Sequence, residues 1–362
     1  MKTIIRNRQI FFVSLTSILG FGLFGAAHIA TKYMSTGAWL SILLASLIFI
    51  IPVTILSALS KKYMGDTLFV YSKKSFGTKA GNVLGAIYAF FYLLFTALLL
   101  SYFSHIISMW ILPNTNYHLI CAFLVLICIY ALSRGFTSTV RMVSLTGAVS
   151  ALAVIIIRIT MIASGDMRNL FPLIETNYLP LPLIKATALT SVFFFGIGIL
   201  AIMPNNLAKK TSKFAAIFGV VIGALILIMI CASCFCVLSP LATSIYSDAV
   251  SLSMKAFDIS RITFIQRADI IFIITWTTLM LSTLCILIYI PHTYIKTVLP
   301  KTKTALTNSL MGIFVYLVTI IIPDTDVAMQ YITVISCTLG IIALFIIPSI
   351  ILICPEVKNE NK

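Results

Sequence analysis

Charge is scarce in this chain. Only 10% of its 362 residues are Asp, Glu, Lys or Arg, and just ten of them are acidic. Soluble domains carry about 25%, so a water-soluble globular protein is excluded. Histidine is also rare: the four, at positions 28, 105, 118 and 292, are scattered. With no paired-carboxylate site, no Walker loop and no H-E-x-x-H, no enzymatic constellation is present. External cysteine is missing too. The eight cysteines, at 121, 128, 231, 234, 236, 285, 337 and 354, all lie in or at the edge of apolar runs, which excludes a disulfide framework. The cluster C-A-S-C-F-C at 231–236 has metal-like spacing. No His or carboxylate stands nearby, however, and buried neutral thiols behave as small hydrophobes. Neither a metal nor a cofactor is expected. Short alternating strands are absent as well, which excludes a membrane barrel.

What is abundant is apolar. Hydrophobic residues make up 60% of the chain and the mean hydropathy is +1.10. A helix needs about 20 apolar residues to cross the hydrocarbon core. Ten such spans are predicted, at about 9–31, 37–60, 83–112, 118–134, 142–164, 186–204, 213–238, 268–291, 306–323 and 328–353. The expected fold is therefore all-α and integral to the membrane, one polytopic domain over residues 1–362 with no linker. The first run has the basic start and small residues (Ala26–Ala30) of a signal peptide. It is longer than a typical h-region and is read as span one.

Basic residues resist translocation. Arg6, Arg8, Lys61, Lys62, Lys73, Lys74, Lys79, Arg134, Arg141, Lys209, Lys210, Lys213, Lys296, Lys301 and Lys303 fall on one side, with Lys2, Lys358 and Lys362 in the tails. Both termini are accordingly expected in the cytoplasm. The net charge of +15 serves topology and attraction to anionic lipid headgroups, not nucleic acid. The inner loop 61–82 is basic and amphipathic and is expected on the membrane surface. The outer loop 239–267 is expected to hold a short helix near 247–257.

Ten spans divide as five and five, so the second half (about 186–353) enters the membrane opposite to the first (about 9–164). That is the inverted repeat common among transporters. The leaders of the two halves share an oddity. Span one carries Gly20, Gly22 and Gly25; span six reads S-V-F-F-F-G-I-G-I-L-A-I-M-P, with Gly196, Gly198 and Pro204. Each interior glycine costs a helix about 0.8–1 kcal/mol against alanine. Paired Gly-interrupted spans point to a central site. The first and sixth helices are therefore expected to be discontinuous, offering bare amides to an anion such as a carboxylate. The alternative is that the small residues let helices pack closely. The G-x-G-x-x-G of span one is no dinucleotide fingerprint, because no strand precedes it and the first acid after it is Asp66.

Candidate ligand contacts follow from these spans. Span one supplies Gly20, Gly22 and Gly25, and span six supplies Phe194, Gly196 and Gly198. Span three has Tyr88, Tyr92, Phe95, Leu99 and Tyr102 on one helical face, with Thr96 beside it. Tyr92 lies mid-span, away from the interfacial belt where tyrosines gather. Span eight carries a hydroxyl stripe, Thr275, Thr278 and Ser282, which serves either a ligand or its own helix and neighbours. His28 is expected to flank an outer cavity. Arg158 lies 17 residues beyond Arg141, roughly 25 Å at about 1.5 Å per residue, and is expected to snorkel at the outer interface. Asp269 and Arg267 are expected to neutralise one another there, and Glu175 to be external. No carboxylate occupies the middle of any span, although proton-driven carriers generally need such a group.

Several runs resemble the spore germination permeases, the B subunits of GerA-type nutrient germinant receptors. They are I-I-R-N-R-Q-I-F-F-V with I-L-G-F-G-L-F near the start, W-L-S-I-L-L-A at 39–45, Y-A-F-F-Y-L-L-F in span three, I-L-P-N-T-N at 111–116, N-L-F-P-L-I-E at 169–175 and S-R-I-T-F-I-Q-R-A-D-I-I-F-I-I-T-W at 260–276. Their order and spacing run the full length. The sequence differs from many relatives at Leu281–Ser282–Thr283, where those carry a more charged or bulky stretch. The resemblance implies the architecture of the amino acid–polyamine–organocation transporters, with spans one, three, six and eight around a ligand. It implies a nutrient sensor, often for amino acids, in the spore inner membrane, working with an A subunit and a lipid-anchored C subunit. Two other classes stay open: a secondary amino acid transporter, and an assembly protein of the receptor.

Overall fold

Residues with positive φ mark where the chain turns corners. α1 (Asn7–Met34) and α2 (Ala38–Lys62) form one apolar run, bent where Ser35 takes φ 47° and ψ −127° ahead of a 3-10 turn over Ser35–Gly37. α3 (Leu68–Trp110) bends at Gly77, whose φ of 76° suits a residue without Cβ. The piece before that bend turns Leu68, Phe69 and Tyr71 into the protein, while Lys74 pairs with Asp66 at 2.6 Å on the surface. This is the amphipathic segment expected within 61–82. Gly135, at φ 87°, joins α4 (Tyr117–Arg134) to α5 (Phe136–Ser164).

The protein is seen as a computed structural model that describes residues 5–63, 66–173, 180–203, 209–257 and 268–354. In its second half, α6 (Pro180–Ser191) passes into a 3-10 helix over Val192–Ile202. α7 (Lys210–Leu238) follows, then the short α8 (Pro240–Ile245) and α9 (Ala249–Ala256), the latter inside the expected 247–257. α10 (Ala268–Leu287) and α11 (Tyr289–Val298) make up span eight, and α12 (Thr304–Ile321) is span nine. Span ten begins as α13 (Thr325–Ile335), widens into π-helix over Ser336–Gly340 and Ile342–Ile346, and closes as α14 (Ile347–Ile353). Among the described residues there are nine membrane-length apolar helical runs, of which the first, Asn7–Lys62, is the bent pair α1 and α2. Counting that pair as two gives the ten expected spans.

The inverted repeat is legible in the packing. α1 lies along α7, as α6 lies along α2; α5 meets α10, as α13 meets α3; and α4 pairs with α12. Each contact has a counterpart five spans on, which is what a pseudo-two-fold axis in the membrane plane produces. Pro204, Glu175, the Arg267 partner expected for Asp269, and Lys2, Lys358 and Lys362 of the tails lie outside the described residues.

Candidate functional site

Span six departs from α-helix where the glycines stand. The 3-10 stretch Val192–Ile202 has 11 residues, all buried. Runs of this kind rarely exceed 3–4 residues, and longer ones mark hinges or strain. The departure is a tightening of the helix, and two tyrosines of α3 hold it. Tyr88 donates its hydroxyl to the Gly198 carbonyl at 2.8 Å, and Tyr92 donates to the Phe195 carbonyl at 2.9 Å. Both side chains are fully enclosed. The chain thus supplies its own donors to a backbone that, at this depth, has no water to meet it.

Span one differs from the expectation. α1 is helical without a break from Asn7 to Met34, through Gly20, Gly22 and Gly25. The physical reason is close approach. A Cβ on Gly20 would collide with Thr283 Oγ1 and reach the Leu279 carbonyl at 2.9 Å; one on Gly22 would stand 2.9 Å from Leu227 Cδ2. A Cβ on Gly196 would strike the Ser17 carbonyl of α1, and one on Gly198 the Tyr92 hydroxyl. No hollow separates the two leaders at these positions. Gly20 and Gly196 let α1 meet the backbones of α10 and span six, and Gly22 and Gly198 make room for the side chains of Leu227 and Tyr92. Span eight also decorates α1: Trp276 Nε1 donates to the Gly20 carbonyl at 3.2 Å, and Thr283 Oγ1 to the Thr16 carbonyl at 2.9 Å.

The remaining candidates are placed as follows. Thr96 turns its hydroxyl back to the Tyr92 carbonyl at 2.7 Å, and Phe194 packs on Phe49 with centroids 5.7 Å apart. Thr275 bonds the Ile271 and Phe272 carbonyls of its own helix, and Thr278 bonds Ile274. Ser282 meets Thr146 of α5 at 2.9 Å. In this conformation the stripe therefore serves helix and neighbour.

Above this packed crossing lies space. A cavity of about 940 Å³ opens on the face where α1 ends and α13 begins. Phe24, Gly25 and Tyr102 line its deep end; His28, as the sequence leads one to expect, and Lys32 rise along one wall, with Asp248 and Asp326 among the others. Gly25 thus belongs to the cavity, and the other ten candidate residues lie elsewhere. Aromatic rings make the floor. Phe24 lies 5.0 Å from Trp276, which abuts Phe103 at 5.3 Å; Phe21 bridges Tyr102 at 5.5 Å and Phe193 at 4.9 Å. Phe193 belongs to the 3-10 stretch, so the floor rests on the distorted part of span six.

Arg158 does not snorkel: it is fully enclosed, between Ser233 of α7, 3.3 Å from Nη1, and the Phe272 ring of α10, 4.8 Å from the guanidinium carbon. Among the described residues its Nε and Nη2 have no hydrogen-bond partner. Spacing along α5 gives its depth; only the packing of α7 and α10 over it gives its burial. Lys32, Asp248 and Asp326 carry no signal in the sequence beyond being loop-side charges, because the fold alone brings them to one cavity.

The comparisons agree with this architecture. The family described as spore germination proteins matches residues 4–327. Spore germination protein A2 of Bacillus subtilis (strain 168) is 21% identical over 350 residues, covering 95% of this chain and 93% of that protein. Spore germination protein GerQB of Bacillus cereus is 24% identical over 276 residues, 75% of this chain and 74% of its own. Among solved structures, the nucleobase-cation-symport-1 family transporter MHP1, closed with bromovinylhydantoin bound, superposes with a TM-score of 0.67 at 13% identity, covering 96% of this chain and 77% of that one. MhsT in complex with L-phenylalanine gives 0.63 at 14% identity, with 95% and 97% covered. The fold is that of inverted-repeat transporters, and the chain is a multi-pass membrane protein.

Proposed function

Because the chain belongs to the family of spore germination proteins, we propose that it is the permease-like membrane subunit of a nutrient germinant receptor. A small nutrient, with amino acids first among the candidates, enters the cavity at the end of α1 and engages its floor. The floor then repacks against the crossing of α1, α3, span six and α10, where Gly20, Gly22, Tyr92, Thr96, Gly196 and Gly198 stand, while Phe194, Thr275, Thr278 and Ser282 belong to the helices that flank it. The bundle shifts between two states, and A and C subunits read the shift. With both termini in the cytoplasm, the cavity faces outward from the spore inner membrane, the side from which nutrients arrive.

One observation carries this reading. The cavity floor rests through Phe21 on Phe193, at the start of a 3-10 stretch whose carbonyls are held by Tyr88 and Tyr92. A ligand that moves the floor therefore moves a segment already away from its best geometry, and the hydroxyl bonds can be exchanged at small net cost because each contributes only about 0.5–1.5 kcal/mol. The test is germination of spores that lack this gene and the other receptors, with the gene restored, against amino acids, sugars and nucleosides. Restored response to at least one nutrient is expected; no response to any of them would reject the receptor role.

A second reading, a secondary amino acid transporter working by alternating access, is favoured by the transporter fold. Gradient-driven accumulation of labelled amino acids in proteoliposomes would support it over the sensor.

A further inference from the structure

A groove of about 540 Å³ lies between α2, α6 and span ten. Its walls are Leu44 and Ile48, Leu183 and Ile184, and Ile341 and Phe345. Ile48, Ile184 and Ile341 are 42%, 63% and 44% exposed, so the groove opens sideways, on a flank that these apolar spans turn to the membrane. Both hydroxyls in its lining are spent on their own helix. Thr187 donates to the Leu183 carbonyl at 2.7 Å, and Ser191 to the Ala188 carbonyl at 2.7 Å. Neither is left to bind a polar solute.

The base of the groove is aromatic and reaches the distorted part of span six. Phe49 packs on Phe195 at 5.0 Å and on Phe345 at 5.3 Å. Phe195 stands in the 3-10 stretch, and its carbonyl is the one Tyr92 holds. Cys337 and Phe345, which line the groove, belong to the two π-helical segments of span ten, a widening that frequently marks functional sites. Gly340 lets that wall close on the base, since a Cβ there would stand 2.7 Å from Phe195 Cε1.

Shape selects the occupant. From Leu183 to Phe195 the wall runs about 20 Å, at about 1.5 Å per residue in α6 and about 2.0 Å in the 3-10 stretch. A volume of about 540 Å³ over that length is a channel about 6 Å across, half the roughly 10–12 Å of a helix with its side chains. A partner helix can cover the mouth but cannot enter. A hydrocarbon chain can, and an empty groove would forfeit dispersion contacts along its whole length.

We propose that the groove holds one acyl chain of a membrane phospholipid, with its tail against Phe195. The bilayer at the mouth supplies such chains as the surrounding solvent. The chain braces the Phe49–Phe195–Phe345 cluster, so lipid acts on the stretch whose carbonyls Tyr88 and Tyr92 hold. This site is independent of whatever enters the cavity at the end of α1.

The test reconstitutes the full chain, alone and with A and C subunits, in phosphatidylglycerol vesicles. The vesicles contain a phosphatidylglycerol with a diazirine near one acyl terminus. After illumination, labelled peptides are mapped by mass spectrometry. Labelling of 183–195 and 337–345 is expected to exceed severalfold that of Leu145, Val149 and Leu152, which are 70%, 62% and 60% exposed on α5 and lie outside the groove. Ala188→Phe and Cys337→Trp fill the groove from two walls at exposed positions, and each is expected to abolish the excess while labelling of α5 stays unchanged. Added phosphatidylglycerol should also raise the wild-type thermal midpoint more than that of either variant. Equal labelling of the groove and the α5 face overturns the site, as does an excess that survives both substitutions. An excess lost once the A and C subunits are present overturns it in favour of a partner helix over the mouth. Equal lipid-dependent rises in midpoint overturn the bracing of Phe195.

Discussion

Tyr92 of α3 donates its hydroxyl to the Phe195 carbonyl at 2.9 Å, joining a helix of the first half to the 3-10 stretch that follows α6 in the second. The same hydroxyl lies where a side chain on Gly198 would begin. One tyrosine thus both satisfies the distorted backbone and requires the glycine beside it.

Tyr92→Phe keeps the ring and removes the donor, leaving the Phe195 carbonyl without this partner in a buried site. The expected loss is about 1–3 kcal/mol, read as a lower thermal midpoint of the purified protein, with Tyr88→Phe similar because the Gly198 carbonyl loses its donor in the same way. Midpoints equal to wild type in both variants would mean that the 3-10 stretch does not depend on α3.

The glycines separate by what surrounds them. Gly196→Ala places a methyl against the Ser17 backbone, which cannot step aside, whereas Gly223→Ala meets the Ile18 side chain at 3.3 Å, and that side chain can turn. Overpacking of a rigid site costs about 1–3 kcal/mol, or more. Gly196→Ala is expected to lower the yield of folded protein sharply and Gly223→Ala only slightly, judged by size-exclusion profiles in detergent. Equal behaviour of the two would contradict the close crossing of span six over α1.

Arg158 provides the opposite kind of expectation. Its guanidinium is enclosed with two nitrogens unmatched, so the charge is desolvated without full repayment. Replacing buried ionic groups by apolar residues of similar volume is often neutral or stabilising, by about 1–4 kcal/mol. Arg158→Met is expected to hold or raise the thermal midpoint. A fall of many degrees would show that the contacts to Ser233 and the Phe272 ring outweigh the desolvation of the guanidinium.

These contrasts show which parts of the molecule are legible in its sequence. Span number, the repeat and the amphipathic segment before Gly77 follow from run length and from where charge stops, which are local properties. The glycine pattern points to the right places but not to the right state: glycine permits both an unwound helix and a tight crossing. Thr283, Leu227 and Ser17 decide between them, and they lie on other parts of the chain or another turn. The 3-10 stretch is visible only as a break, because tightening leaves no compositional mark. Tyr92 stands out as a mid-span tyrosine, yet its partner is a carbonyl 103 residues away. The cavity charges stay invisible for the same reason: Lys32, Asp248 and Asp326 meet only once three helix ends converge.

The depth of that cavity can be measured along α1. Ile29 and Lys32 line it, while Leu19 and Leu23 are fully enclosed below the aromatic floor. The floor is packed ring on ring, Phe24 on Trp276 and Phe21 on Phe193. Single cysteines are therefore expected to split into two groups when intact cells expressing the protein meet a membrane-impermeant maleimide. Ile29→Cys and Lys32→Cys should react, whereas Leu19→Cys and Leu23→Cys should stay silent. The native cysteines contribute little background, since six of the eight are buried and Cys337 stands on an apolar face among Ile341 and Phe345. Labelling of Ile29→Cys and Lys32→Cys only in inverted vesicles would place the end of α1 in the cytoplasm and reverse the orientation proposed for the chain. Labelling of Leu23→Cys from outside would mean that the floor opens without a ligand, so that the resting protein already samples the state a nutrient is proposed to select.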